Sequence, residues 1–574
     1  MIAPEREFTL RAVIIALLVA VVIGLSYPYV VLKLGFGPNI AVVSAFFGWI
    51  ALSTITRGKS LKRESNLAQA AGMIAGQTAF LCVVLAAFDL LMLDGTTGFD
   101  LKLTKLQIFS WLTTAGILGV LLAVPLRRHF IVDEKLPFPD GFAAGETLLV
   151  LDERGAGSRR AARAMFGGLF ASGLLAFLVM RKKFLVFQED FLALPFNRFS
   201  GVTGTGFSYS LLNLGSGMII GLRICTNMAV GSALAWIIAP VLLNDHGQIA
   251  DTATKRDILL WIMWPATGLM VAGGLTALFL KWRILTRTFR QLSGASVESG
   301  DFPMRWVVIG SIVSGIALIV VQRFQLGLPI WQTLVAIALT LPLMLVGLRV
   351  LGETNWGPIS ALSNLMQGVF AALAPGNVQA NMVASGVTGS IVAESEGLMQ
   401  SYKTGEMVGS TPRYLTYIQL MAVPIGAAAV AYAYPLLRAT YGIGGEKGLP
   451  CPTSQKWVGL AKMVNEGIGA LPKSAVVALA IAVVLGILFA VLEQNAKWRT
   501  WVPSATSIGI GMLIPSNAVA TMMIGALIAW AANRKDPEGS NRWVLPLASG
   551  FIAGDALVAI IVAALIAQGV LVAL

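Results

Sequence analysis

The chain has 574 residues, 56% of them apolar and only 12% charged, with a mean hydropathy of +0.77 and a formal net charge of +13. A soluble protein carries about 25% charged residues, so half that share over this length places most of the surface against lipid. The basic residues fall in short runs, "TRGKSLKR" (56–63), "LRRHF" (126–130), "RRAAR" (159–163) and "KWRILTRTFRQ" (281–291), a signal of membrane orientation that excludes a basic nucleic-acid-binding domain.

In chain order, "MIAPEREFTLR" leads into "AVIIALLVAVVIGLSYPYVVL". A signal-peptide core is only about 7–15 apolar residues; this run is longer and reads as the first transmembrane helix, with the N-terminus inside. A span needs roughly 20 apolar residues. Spans are predicted at 10–32, 39–56, 66–93, 107–124, 163–180, 216–241, 258–280, 305–322, 328–349, 414–436, 473–492 and 544–572. Less regular ones fall at 358–374, 376–399 and 502–531, the last broken by "IPSN" (514–517). The expected fold is all-α: a polytopic membrane protein with about 14–16 transmembrane helices, some of them re-entrant or broken.

Three stretches are neither good spans nor good loops: "LPFPDGFAAGETLLVL" (136–151), "FSGVTGTGFSYSLLNLGSG" (199–217) and "GLPCPTSQKWVGLAKMV" (448–464). Irregular backbone at membrane depth survives only where it is buried in protein or lines an aqueous cavity, so such stretches point to a transport site. Four pairs of segments recur in one order at an offset of roughly 310–320 residues. They are "AVPLRR" (123–128) with "AYPLLR" (433–438), "LPFP" (136–139) with "LPCP" (449–452), "GFGPNIA" (35–41) with "NWGPISA" (355–361), and "NLAQAAGMIAG" (66–76) with "NMVASGVTGS" (381–390). Two related transmembrane halves are expected, 1–305 and 306–574. Keeping the basic runs 56–63, 126–135, 152–163, 281–305 and 400–413 in the cytoplasm needs 184–215 to cross once, which inverts the halves. If that segment dips in and returns, they are parallel. The inverted arrangement is preferred.

These segments carry a resemblance. "QSYKTGEMVGSTPR" (400–413) resembles the motif QDxKTGxLLGATPR, and "RESNLAQAAGMIAGQTAF" (63–80) a QENxxxQT-type segment. "LRRHFIVDEKLPFPDGFAAGETL" (126–148) is similar to LRRxLIVxExLPYPxGxAxAExL, and "GMIIGLRICTNMAVGSALAW" (217–236) to GYIIGxRxxxNxLxGxLLxW. All four belong to the oligopeptide transporter (OPT) family, including its yellow-stripe-like metal-chelate branch. The chain departs from the pattern at Ser401, where the motif has an acid, and at "LPCPTSQ" (449–455), where it has LPAPQA. The resemblance implies a proton-coupled secondary carrier for small peptides, modified peptides or metal-chelate complexes in a bacterial inner membrane, working as a monomer or homodimer.

Read residue by residue, Lys403 and Arg413 can anchor the 401–413 stretch at the interface, and Thr411-Pro412 can cap and start the next helix. Gly405 and Gly409, four apart, suit close packing or a hinge, so the stretch is both a connector and a candidate gate. Glu394 and Glu396 are costly in an apolar segment unless they face water or a partner. At i and i+2 they point to different faces; one is expected to couple protons, with Glu394 preferred as the deeper, and the other to pair with Lys403 or Arg413. Glu146 is a coupling candidate if 141–150 is a buried half-helix, Asp140 being its cap; Asp555 is a further one. Asp89, near a helix end, is expected to be solvated and Lys33 to snorkel. Arg223 in an apolar run needs a carboxylate, a carbonyl or a cavity and could take a substrate carboxylate, with Asn227 one turn on. Asn66, Gln69 and Gln400 could hydrogen-bond a peptide group or join helices.

No cofactor and no protein-bound metal are expected. Cys82, Cys225 and Cys451 are far apart, and His129 and His246 are the only histidines. No protease, prenyl-transfer or Walker A signature is present, which disfavours an enzyme. An ion or small-solute channel is the other rival; broken segments in two halves suit alternating access better. The cavity is expected between 141–150, 199–217, 381–399 and 449–464.

Overall fold

In the computed structural model the described residues are 7–35, 40–56, 61–95, 98–152, 156–180, 191–280, 302–354, 357–444, 448–466, 473–493, 497–498, 502–536, 540, 543–568 and 570. The basic run 281–291 and parts of 35–41, 56–63 and 355–361 lie outside them.

The first half holds α1 (Leu10–Leu34), α2 (Ile40–Ile55), α3 (Lys62–Phe80), α4 (Cys82–Asp94), α5 (Lys105–Ala123), α6 (Pro139–Asp152) and α7 (Ala156–Met180). It continues with α8 (Leu211–Ile220), α9 (Leu222–Asp245) and α10 (Lys255–Leu280). The second holds α11 (Met304–Gln325), α12 (Ile330–Thr354), α13 (Ile359–Leu373), α14 (Val378–Val408), α15 (Pro412–Tyr441), α16 (Pro452–Glu466), α17 (Lys473–Glu493), α18 (Ala505–Leu513), α19 (Ser516–Lys535) and α20 (Val544–Ala567). Among the described residues, eleven helices are long and apolar enough to cross a membrane; four apolar helices are shorter. The chain is a multi-pass helical membrane protein. The broken pairs have local causes: α8 stops at Gly221, whose φ of 88° an L side chain rarely adopts, and α18 stops before Pro515, which opens α19.

The segment 184–215, which the inverted arrangement of the halves needs to cross once, makes no helical crossing in its described part, so support for that arrangement has to come from the helix pairs below. Phe191–Ala193 pairs antiparallel with Gly206–Ser208 (Phe191 opposite Ser208), and between them lies a single-turn helix, Ser200–Thr203.

Contacts place the helix ends. Arg11 pairs with Glu64 (2.8 Å), Glu7 takes the Thr411 N–H (2.8 Å), and the Phe302 ring sits 5.2 Å from Tyr417. The starts of α1, α3, α11 and α15 therefore share one end of the molecule. At the opposite end Ser110 of α5 bonds Gln325 at the close of α11 (2.7 Å), and Lys462 of α16 pairs with Asp94 at the close of α4 (2.5 Å). Consequently α3 and α14 run antiparallel, as do α5 and α15. α5 packs close to both α14 and α15 because small residues face them: a Cβ on Gly119 would come 2.8 Å from the Ile391 carbonyl of α14, and one on Gly116 2.8 Å from Val423 of α15.

The packing comes in matched pairs. α7 lies along α20 and α10 along α17; α8 packs on α19 and α9 on α18; α2 packs on α3 and α13 on α14. The "LPFP" and "LPCP" segments match in backbone as well. Phe138 (φ 39°) and Cys451 (φ 44°) are left-handed residues directly before a proline. The Phe138 N–H donates to Gly352 O (3.0 Å), near the end of α12, and the Cys451 N–H to Leu32 O (2.8 Å), near the end of α1.

Candidate functional site: a central cavity between helix starts

A cavity of about 390 Å³ lies where the short helices begin. Ile40 of α2, Asp140 of α6, Ile359 of α13 and Thr453 of α16 all border it, so four helix N-termini converge there. Unpaired N–H groups and the helix dipole make such starts favourable to negative charge. The left-handed joints at Phe138 and Cys451 turn the chain sharply into α6 and α16, a costly conformation that clusters at functional sites.

Two charged side chains face the cavity from well inside the protein. Glu396 of α14 is 3% exposed, and its Oε1 has no hydrogen-bond partner among the described residues. Lys456 of α16 is 6% exposed, and no hydrogen bond or ion pair to it occurs among the described residues. Gly357 leaves room for the Glu396 carboxylate, because a Cβ there would meet Oε2.

Gln400 also borders the cavity, but its Oε1 accepts the Gly141 N–H (2.6 Å) and so caps the first turn of α6. Glu394 is fully buried on another face of α14: Thr78 donates to its Oε1 (2.5 Å), and its Oε2 has no partner among the described residues. The two glutamates do point apart, as their spacing requires. Neither pairs with Lys403 or Arg413. Lys403 instead bonds Glu406 (2.6 Å), and Arg413 lies exposed over the Tyr414 ring. One helical turn favours the Lys403–Glu406 pair over a reach into the bundle.

Glu146 corrects another expectation. The half-helix exists as α6, but Glu146 is exposed on its outer face; Asp140 at its start is the acid beside the cavity. Arg223 likewise faces outward. Its side chain is 46% exposed, near Glu493 (3.6 Å) and the Val502 carbonyl (3.2 Å). Asn227 shares that helix, whereas Ile224 and Met228 are the α9 residues that line the cavity. The stretches 141–150 and 199–217 contribute no lining residue; α6 meets the cavity only at Asp140, because the rest of that helix runs away from it.

Asn66 donates to Ser410 (3.0 Å), and buried Gln69 has no partner for either amide atom among the described residues; both lie early in α3, away from the cavity. In the 401–413 stretch, Gly405 is packed beside Leu415 and Asn66. Gly409 (φ 77°) closes α14, and Pro412 opens α15. Thr411 makes no side-chain cap; the Glu7 carboxylate takes its N–H. Burial pushes the Glu7 carboxyl up, against those bonds.

Asp555 is 3% exposed; it accepts from Ser210 (2.7 Å), with Lys33 at 3.7 Å, so Lys33 reaches an acid between helices. Asp89 is buried, held by Tyr434 and by Arg438 (2.9 Å). Outside the spans, His129 is buried beside Glu134 (3.4 Å), which also pairs with Arg349 (2.5 Å); burial pushes the imidazole below its ordinary value. Among the described residues no group of three His, Cys, Asp or Glu could hold a metal ion.

Sequence reasoning missed Lys456. A signal was there: a cation inside a Pro-rich, half-apolar stretch already marked as irregular.

Comparison with known proteins gives one consistent result. Residues 7–566 match the family described as OPT oligopeptide transporter protein. The chain is 24% identical to a candidate oligopeptide transporter of Saccharomyces cerevisiae, over 79% of this chain and 80% of the other. It is 24% identical to a metal-nicotianamine transporter of Arabidopsis thaliana, over 96% and 92%. A candidate oligopeptide transporter of Haemophilus influenzae is 23% identical over 88% of each chain. With nearly its whole length matched, the chain belongs to the OPT oligopeptide transporter family.

Proposed function

We propose that this protein is a proton-coupled secondary carrier that imports small peptides, modified peptides or metal-chelate complexes by alternating access. The observation that carries the reading is the central cavity, where Glu396, Asp140 and Lys456 meet between four helix starts. Its volume of about 390 Å³ falls in the range of small-molecule sites. The names of the relatives, oligopeptide and metal-nicotianamine transporters, support the substrate class.

Glu396 is the first candidate for coupling, since it can exchange a proton for a ligand contact; Glu394 is the deeper second site. Gln400 holds α6 against α14. The 401–413 stretch, with Lys403, Gly405, Gly409, Pro412 and Arg413, forms the gate-side connector.

Two halves, 1–305 and 306–574, form inverted repeats in this reading, with α11 as an added helix. The antiparallel α3/α14 and α5/α15 pairs and the matched joints at Phe138 and Cys451 support it. Inverted repeats are a common basis for alternating access. The N-terminus then faces the cytoplasm of a bacterium, and the unit is a monomer or homodimer.

Uptake into proteoliposomes tests the function. An imposed inward proton gradient should drive accumulation of trialanine or of an iron–nicotianamine complex. Equal uptake with and without the gradient would remove proton coupling, and rapid gradient-independent ion flux would favour a channel.

A further inference from the structure

We infer that Lys456 anchors a carboxylate of the transported ligand, while Glu396 faces its amino group, so that the cavity selects a zwitterion. The inference rests on the transport reading above and adds the chemical class and orientation of the ligand.

Lys456 is the residue that needs explaining. It is 6% exposed and lines the cavity, yet no acid or carbonyl among the described residues bonds it. A buried unpaired cation is costly, and ionisable groups inside a membrane protein are kept mainly for function. Other buried cations here have partners: Lys462 holds Asp94 at 2.5 Å and Arg349 holds Glu134 at 2.5 Å. Lys456 is left to a ligand.

The chemistry of the surroundings names that ligand. Lys456 sits in the first turns of α16, and the start of α13 borders the same space. Both favour an anion at this spot. On the α14 wall, Glu396 presents a carboxylate with an unpartnered oxygen. A polyanion would be repelled by Glu396 and Asp140, and a simple cation by Lys456. A molecule with an amine at one end and a carboxylate at the other satisfies both, and charge-assisted hydrogen bonds fix its direction.

The test compares trialanine, its C-terminal carboxamide and iron–nicotianamine. Wild type, Lys456→Gln and Lys456→Arg are used. Accumulation in proteoliposomes and thermal stabilisation of the solubilised protein are read separately. Trialanine should bind roughly ten- to hundredfold better than its carboxamide. Lys456→Gln should abolish that preference, and Lys456→Arg should restore part of it. The unliganded Lys456→Gln protein should melt at or above the wild-type temperature, because an unpaired buried charge is gone; this separates a binding role from a structural one.

If only iron–nicotianamine is recognised, its binding should fall similarly in Lys456→Gln, and unchanged binding would overturn the inference. Equal recognition of acid and carboxamide by wild type, or a preference that survives in Lys456→Gln, would also overturn it and leave the transport reading intact. Stabilisation with the expected preference but no accumulation would keep Lys456 as the anchor of a bound zwitterion and end the transport reading. No stabilisation and no accumulation with any probe would overturn both.

Discussion

At the scale of single residues, two glutamates two positions apart have different surroundings. Glu396 opens onto the cavity; Glu394 is wedged between α3 and α5 with one bond from Thr78. Replacing Glu396 with Gln is therefore expected to remove gradient-driven accumulation while leaving downhill exchange measurable in counterflow. Unchanged accumulation would take Glu396 out of the coupling step. Arg223 makes the opposite case. It lies at an exposed ion pair, and such pairs contribute little, so Arg223→Gln should leave uptake within about twofold of wild type. His129 gives a pH prediction. Burial lowers its folded-state value below the ordinary 6.5, so its contribution is present above pH 6.5 and is lost as pH falls through the folded value. His129→Gln should flatten that part of the stability–pH profile in thermal melts.

Elements are shaped by glycine placement and by a few forced turns. α20 presents Gly550 and Gly554, four apart, to the backbone of α7, where any Cβ would strike the Met165 or Leu169 carbonyl. Gly550→Val should cost about 1–3 kcal/mol or more, through overpacking, seen as a lower melting temperature. Lys135 is the reverse case: it is exposed, with φ of 49°, and no side chain gains from that conformation. Lys135→Gly should stabilise the connector by up to about 1 kcal/mol; a lower melting temperature would contradict this. Phe138 and Cys451 share the same backbone class but are buried. Their shape is held by ladder-like bonds to α12 and α1, which is why the sequence keeps ordinary residues there.

For the whole molecule, helix ends sort into two sets. Lys135 follows the close of α5 and Lys105 opens it, and both are exposed. All three native cysteines are buried, so the background to thiol labelling is low. Single cysteines at positions 105 and 135 should react with an impermeant reagent from opposite sides of the membrane, position 135 from the cytoplasmic side. Labelling of both from one side would overturn α5 as a crossing of the membrane.

Long apolar runs are enough to give the class of the fold, because they have no stable place other than lipid, and most spans follow for the same reason. The sequence also marks the Pro-rich stretches 136–151 and 448–464, where α6 and α16 begin, since irregular backbone must be sheltered. Local spacing was enough to separate Glu394 from Glu396, because a helix fixes relative direction over two residues. Tertiary packing alone sets which of them meets the cavity, turns Glu146 and Arg223 outward, and leaves Lys456 pointing in with no partner among the described residues. Those outcomes depend on the rotation of each helix about its axis and on partners more than three hundred residues away, such as Thr78 for Glu394. Hydropathy that is apolar all round a helix carries no record of that rotation.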